Sequence, residues 1–284
     1  MQTNHTQEAL IITNPNRNDH PAVQLILILL TFLFFAGFIF LPLGLVFAQA
    51  FQKGTALYLE AIRDPIAISA VKLTLLTAAI VVPLNAVFGV TAAWAITKFS
   101  FRGKTLLISL LDLPFAVSPV IAGLIFVLLA GSRTSLGSWL GDHGIKIIFS
   151  TPGIVIATLF VTFPFIAREL IPLMESQGRE EEEAAITLGA KGWQTFRIIT
   201  LPNIRWGLMY GMILCTARSI GEFGAVSVVS GHIRGMTNTI PLHVEILYSE
   251  YNYTASFAVA SILVFLALAT IAVKALVEKR VHNQ

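Results

Sequence analysis

Charge is scarce in this sequence. Asp, Glu, Lys and Arg make up only 12% of its 284 residues, about half the ~25% of an ordinary soluble domain. That is too little to cover a soluble surface of this size. Disorder is excluded along the chain as a whole, because it needs low hydrophobicity and high charge. Cysteine is almost absent: Cys215 is the only one, which excludes a disulfide framework and any cysteine-based zinc or iron–sulfur site. The six His are scattered without metal-ligand spacing. Basic residues exceed acidic ones by only three, and no dense basic stripe marks a nucleic-acid binder. What the chain has instead is apolar residues, 55% of the total, with 20 Phe. This composition is that of an integral membrane protein.

The apolar residues fall into long runs. Leu25 to Phe51 contains no charge, and about 20 helical residues cross a 30 Å hydrocarbon core. A secretory signal would have an apolar region of only about 7–15 residues before a small-residue cleavage site, so this run reads as a retained span. Further spans are expected at Ala70–Ile96, with Lys72 near its outer boundary, and at Thr105–Ala130, interrupted by Asp112, Pro114 and Pro119. Three more are expected at Thr151–Ala167, at Trp206–Val229 with Arg218 and Glu222 inside, and at Phe257–Val273. Membrane strands would be about 10 residues long and strictly alternating. The expected fold is therefore an all-α integral membrane protein of six transmembrane helices.

Basic residues near span ends orient such a bundle. Arg17, Lys98, Arg102, Lys104, Arg168, Arg179, Lys191, Arg197, Arg205, Lys274, Lys279 and Arg280 fall on one side; Lys53, Arg63, Arg133, Lys146 and Arg234 fall on the other. The richer side is expected to be cytoplasmic, with both termini on it. Residues 1–20 are expected to form a disordered cytoplasmic tail, 21–278 the transmembrane domain and 279–284 a cytoplasmic C-terminal tail.

The longest polar connection, Arg168 to Arg205, lies on that basic side. Glu180–Glu183 suit the first turn of a helix, where unpaired N–H groups accumulate, with Ser176 or a nearby polar residue as its cap. Ala184 to Leu188 continue the helix. Ala185 and Gly189 are four apart, so on a helix they share a face where a second backbone could come close. Gly189 also suits a left-handed exit. A second short helix is expected around Trp193–Ile199, with Pro202 ending it or starting the next span. The segment, about 175–202, reads either as a surface linker or as a docking element for a soluble partner.

Within that segment, Glu183-Ala184-Ala185, then Gly189, then Ile199-Thr200-Leu201-Pro202 resembles the EAA signature of the permease subunits of bacterial-type ABC importers. The likeness extends to Asp112-Leu113-Pro114-Phe115-Ala116-Val117-Ser118-Pro119-Val120-Ile121-Ala122-Gly123, to Arg218-Ser219-Ile220-Gly221-Glu222-Phe223-Gly224-Ala225, to Leu201–Trp206 and to Val229-Ser230-Gly231. Over about Leu25 to Lys274 the chain is similar to the sulfate/thiosulfate permeases, CysW type. The resemblance implies the MetI-like permease fold with cytoplasmic coupling helices. It assigns Glu183, Ala184, Ala185, Gly189, Ile199, Leu201 and Pro202 to coupling with a separate ATPase. It also implies partners: two ATP-binding subunits (CysA-like), a second permease (CysT-like) and a periplasmic sulfate-binding protein. The localisation it implies is the bacterial inner membrane, with ATP and magnesium held by the ATPase subunits and no cofactor in this chain.

The residues themselves point away from enzyme chemistry. Gly103-Lys104-Thr105 ends like a phosphate-binding loop, but Lys98 stands where the first Gly of that loop is required. Arg218 and Glu222, four apart, are expected on one helix face. They serve either as a structural ion pair or as a source of positive potential beside an anion route. Pro114, Ser118 and Pro119 are expected to break a helix, leaving either a kinked, packed helix or free N–H groups suited to an oxyanion. Asp112 opposes an anion pore at its own height. Alternatives are a permease for molybdate, phosphate or another oxyanion and, from a different class, an ion-coupled secondary transporter or a membrane scaffold.

Overall fold

The computed structural model describes residues 21–282. The expected N-terminal tail and the last two residues of the expected C-terminal tail lie outside the described residues. The chain divides into two units, Met1–Val46 and Phe47–Gln284. Most of the first long helix, α1 (Ala22–Ala50), belongs to the first unit. Its Phe32, Leu33 and Phe38 side chains are exposed, as contact with lipid requires.

The second unit is built from α2 (Thr55–Arg63), α3 (Pro65–Lys98), α4 (Lys104–Ala116), α5 (Pro119–Ala130), α6 (Ser135–Asp142) and α7 (Thr151–Gln177). It continues with α8 (Glu180–Thr187), α9 (Gly192–Ile220), α10 (Gly224–Ser230), α11 (Ile240–Ser249) and α12 (Tyr253–His282). Asp64 starts α3 by accepting the Ile66 N–H at 2.7 Å, with Pro65 at the first helical position, where its missing donor costs nothing. Helices α3, α7 and α9 share the main core. Val82, Val90 and Ala93 meet Ile166, Leu170 and Met174, with Ile204 and Cys215 completing the cluster. Lipid supplies little hydrophobic drive between helices, so polar contacts inside the bundle count as well. Asn85 Nδ2 donates to Thr162 Oγ1 at 2.8 Å and lies 3.5 Å from Cys215 Sγ.

Five of these helices, α1, α3, α7, α9 and α12, are long and apolar enough to cross a membrane. Helices α4 and α5, bent by 106° at their junction, are together apolar and long enough to make a sixth if the pair is one span. Val117 and Ser118 are extended, as the residue before a proline prefers, and Pro119 restarts the helix. The new direction is held by α10. A Cβ on Gly123 would sit 2.6 Å from the Ala225 carbonyl oxygen and 3.1 Å from Val228 Cβ, so glycine is what lets the two short helices touch along their backbones.

Three expected boundaries change. Helix α7 does not stop at Arg168 but runs to Gln177. Helix α9 starts at Gly192 and ends at Ile220, so the expected span Trp206–Val229 shifts toward the N-terminus and its last part becomes α10. Between these longer helices, the polar connection shrinks from about 175–202 to 178–191. The expected second short helix is continuous with α9 through a π-helical turn at Phe196–Thr200.

Candidate functional site

The EAA segment folds as α8 and its C-terminal turn. All four acidic residues Glu180–Glu183 occupy its first turn, where they oppose the unpaired N–H groups. Ser176 does not cap this helix: its hydroxyl donates to the Leu173 carbonyl at 2.7 Å, and Arg179 holds the cap position without a side-chain capping bond. The helix ends in a Schellman motif. The Ala190 N–H donates to Ala185 O at 3.0 Å and the Gly189 N–H to Ile186 O at 2.9 Å. Gly189 has φ +91°, a region closed to residues with a Cβ except at a cost. Gly189 therefore does not continue the face of Ala185; it turns the chain away after Leu188.

That turn pushes an apolar tip into solvent. Leu188 is 90% exposed, with Ile186 and Trp193 exposed beside it. No residue of α8 is buried. Glu183 and Ala184 are exposed and Ala185 is half-buried. The rest of the signature faces elsewhere. Ile199 is half-buried in the π turn, Leu201 packs against the main core and Pro202 is exposed at the first turn beyond it. The spacing of the signature thus hides two jobs: Glu183–Gly189 presents a tip, and Ile199–Leu201 roots it. Leu188 and Trp193, an exposed apolar pair flanking Gly189 in a polar connection, are not among the coupling residues expected from the sequence.

A second constellation lies at the 106° bend. Pro114, Phe115, Val117, Ser118, Pro119, Val161, Phe165 and Arg218 line a wedge-shaped cavity of about 280 Å³. The bend thus gathers Ser118, Pro119 and Arg218 at one place. Arg218 and Glu222 do form an ion pair, with Nη1 to Oε2 at 2.6 Å. The expected geometry is nevertheless wrong: α9 ends at Ile220, and Glu222 lies in the turn after it, not on the same helix face. There its other oxygen accepts the Ala225 N–H at 2.9 Å and fixes the start of α10. The Glu222 side chain is 1% exposed and that of Arg218 32%, so the carboxylate is sunk and the guanidinium reaches the wedge.

Asp112 stands outside the wedge lining. It binds Arg168 of α7, with Nη2 to Oδ1 at 2.6 Å and Nε to Oδ1 at 2.9 Å. The Arg168 guanidinium also lies 4.9 Å from the Phe115 ring centre. Arg168 thus lies within α7, where the sequence suggested a helix end. Among the described residues, no group of three or more His, Cys, Asp or Glu is placed to hold a metal ion.

Residues 85–283 match the family of binding-protein-dependent transport system inner membrane components. The chain is 52% identical over 249 residues to the sulfate transport system permease protein CysW of Escherichia coli strain K12, covering 88% of this chain and 86% of that one. It is 39% identical over 236 residues to the sulfate transport system permease protein CysT of the same strain, covering 83% and 85%. Its fold is similar to that of a chain in the crystal structure of a bacterial alginate ABC transporter in complex with an alginate pentasaccharide-bound periplasmic protein. That match has a TM-score of 0.77 at 17% identity and covers 92% of this chain and 95% of that one. By the family match and the 52% identity, this chain belongs to the binding-protein-dependent transport system inner membrane components, the permease subunits of ABC importers.

Proposed function

We propose that this chain is the W-type permease subunit of an ATP-driven sulfate and thiosulfate importer. The observation that carries the reading is the 52% identity to a CysW protein across 88% of the chain, against 39% to a CysT protein. A T-type permease would complete the path, two ATP-binding subunits would supply ATP and magnesium, and a periplasmic sulfate-binding protein would deliver the anion. The tip around Leu188 would seat on an ATPase subunit, with Glu183 at its rim and Ala185 and Gly189 shaping the turn. Arg218, Ser118 and Pro119 would line part of the anion route at the wedge. Glu222 holds Arg218 there, and Asp112 is neutralised by Arg168 so that it does not repel the anion.

The test is uptake of labelled sulfate by the four-subunit complex in proteoliposomes, with the binding protein outside and ATP inside. The expected result is ATP-dependent uptake competed by thiosulfate. A delivery protein that binds molybdate tightly and sulfate not at all overturns the named substrate and leaves the transporter class standing.

The basic residues assign the orientation, with Lys98, Arg102, Lys104, Arg179 and Lys191 on the tip side. An enzymatic reporter fused after Gln284 is expected to be active in its cytoplasmic form. A periplasmic signal from that fusion reverses the orientation.

A further inference from the structure

We infer that Lys98, Glu182 and Thr200 form a latch that carries movement of the coupling helix α8 into helices α3 and α9. The inference rests on the reading of α8 as the seat of the ATPase subunit. Glu182 uses its two oxygens on two different helices. Oε2 pairs with Lys98 Nζ at 2.7 Å, and Oε1 accepts from Thr200 Oγ1 at 2.8 Å. Lys98 is the last residue of α3. Thr200 closes the π turn that leads into the apolar part of α9. Neither contact is a loose surface pair: the Lys98 and Glu182 side chains are 9% and 14% exposed, and Thr200 is buried.

The rest of α8 explains why such a link is needed. It has eight residues, none of them fully buried and only Glu182 and Ala185 half-buried, so little apolar surface fastens it to the bundle. It is flanked by Gly178 at φ +69° and Gly189 at φ +91°. A helix held only by its flanking backbone would pivot when pushed, and the push would be lost. Polar ties on its inner side prevent this. Besides the Glu182 bridge, Arg179 Nη2 donates to Thr97 O at 2.8 Å, Lys98 donates to Gly178 O, and Asn203 donates to Glu181 at 2.5 Å. They reach the C-terminal end of α3 and the first half of α9, which share the main core with α7. Glu182 alone bridges both helices through one rigid carboxylate. Thr200 stands at the end of the π turn, a feature frequent at functional sites.

Four successive Glu therefore divide their work. Glu180, Glu181 and Glu183 are exposed, Glu181 accepting from Asn203, while Glu182 is half-buried between α3 and α9. Glu182 and Lys98 are positioning residues for coupling rather than contacts with the partner. Breaking the latch should leave the ATPase subunits attached and hydrolysing ATP while less of the stroke reaches the path.

The test uses the complete reconstituted complex carrying Glu182→Gln, Lys98→Met or both, with Glu180→Gln as the control. Membrane insertion, co-purification of the ATPase subunits, ATP hydrolysis and sulfate uptake are measured together. Each single change is expected to keep association and hydrolysis and to lower sulfate moved per ATP by about tenfold, the scale of one charge-assisted hydrogen bond. The double change is expected to be no worse than the worse single, because both remove one bridge. Thr200→Val, which removes a hydroxyl at nearly constant volume, is expected to act in the same direction and tests the bridge if a charge variant does not fold. Wild-type transport per ATP in Glu182→Gln and Lys98→Met overturns the latch, as does strict additivity in the double. Loss of the ATPase subunits in Glu182→Gln also overturns it, because Glu182 would then belong to the docking surface. Failure of the seating reading itself is seen separately, as retained ATPase binding and uptake when Leu188 is changed to Glu.

Discussion

Leu188→Glu is expected to strip the ATPase subunits from the complex while the permease still inserts and folds. Leu188 is 90% exposed, so within the chain its side chain supports nothing. Its backbone N–H still donates to Ala184 O whatever side chain is present. An exposed leucine at the end of a surface helix loses its apolar area to water unless a partner covers it. Covering a leucine side chain is worth about 1.5–3 kcal/mol, and a carboxylate forced into the same apolar seat adds an unpaired charge on top. A combined loss of about 3 kcal/mol is roughly a hundredfold in association, enough to empty the complex during purification. Glu183→Ala makes the useful contrast: Glu183 is exposed, and an exposed ion pair contributes only about 0–1 kcal/mol. Gly189→Ala tests a different thing, since φ +91° costs a residue with a Cβ about 1–2 kcal/mol and bends the tip without adding charge. The measurement is co-purification of the ATPase with each variant, alongside ATP-driven uptake. Full association and full uptake with Leu188→Glu would remove the apolar tip as the seat.

The membrane class, the long apolar helices and the short acidic helix were legible because each rests on local pattern. Uncharged runs such as Leu25–Phe51 declare a span without any help from the rest of the fold. The Glu180–Glu183 run with Gly189 after it marks one short helix and its left-handed exit, and both are present. What stayed hidden depends on partners distant in sequence. Arg168 looked like the end of a helix, yet α7 runs past it to Gln177 and pairs it with Asp112 on α4, 56 residues earlier. Pro119 announced a break, but the 106° angle is set by Gly123 meeting Ala225 on α10. Gly221 and Gly224 lie in the stretch that seemed to run on to Val229. Glycine tolerates both a helix and a turn there, and Glu222 decides for the turn by capping α10. Glu182 could not be told from Glu183 in sequence, because the difference between them is which side of α8 faces Lys98 and Thr200.

Removing Arg218 alone is expected to damage the protein more than removing Arg218 and Glu222 together. The Glu222 side chain is 1% exposed, so as a carboxylate it depends on the charge of Arg218 2.6 Å away and on the Ala225 N–H at 2.9 Å. Arg218→Ala deletes the larger of these supports and leaves a negative charge in an apolar site, at a cost of about 3–5 kcal/mol. Glu222→Ala frees Arg218, which is 32% exposed and can turn toward the wedge. Its main loss is the cap on α10, about 1 kcal/mol. The asymmetry follows from burial: the sunk partner suffers when its mate goes, and the half-exposed one adapts. In the double variant no buried charge remains, so its stability should exceed that of Arg218→Ala by about 2 kcal/mol or more, a coupling well above the few tenths expected of independent sites. The check is a double-mutant cycle on the thermal or denaturant stability of the purified permease complex. Strict additivity would show that the two charges do not depend on each other. Transport separates a second role. If Arg218 also steadies an anion at the wedge, the double variant recovers stability but not sulfate uptake, whereas recovery of both would confine Arg218 to holding Glu222.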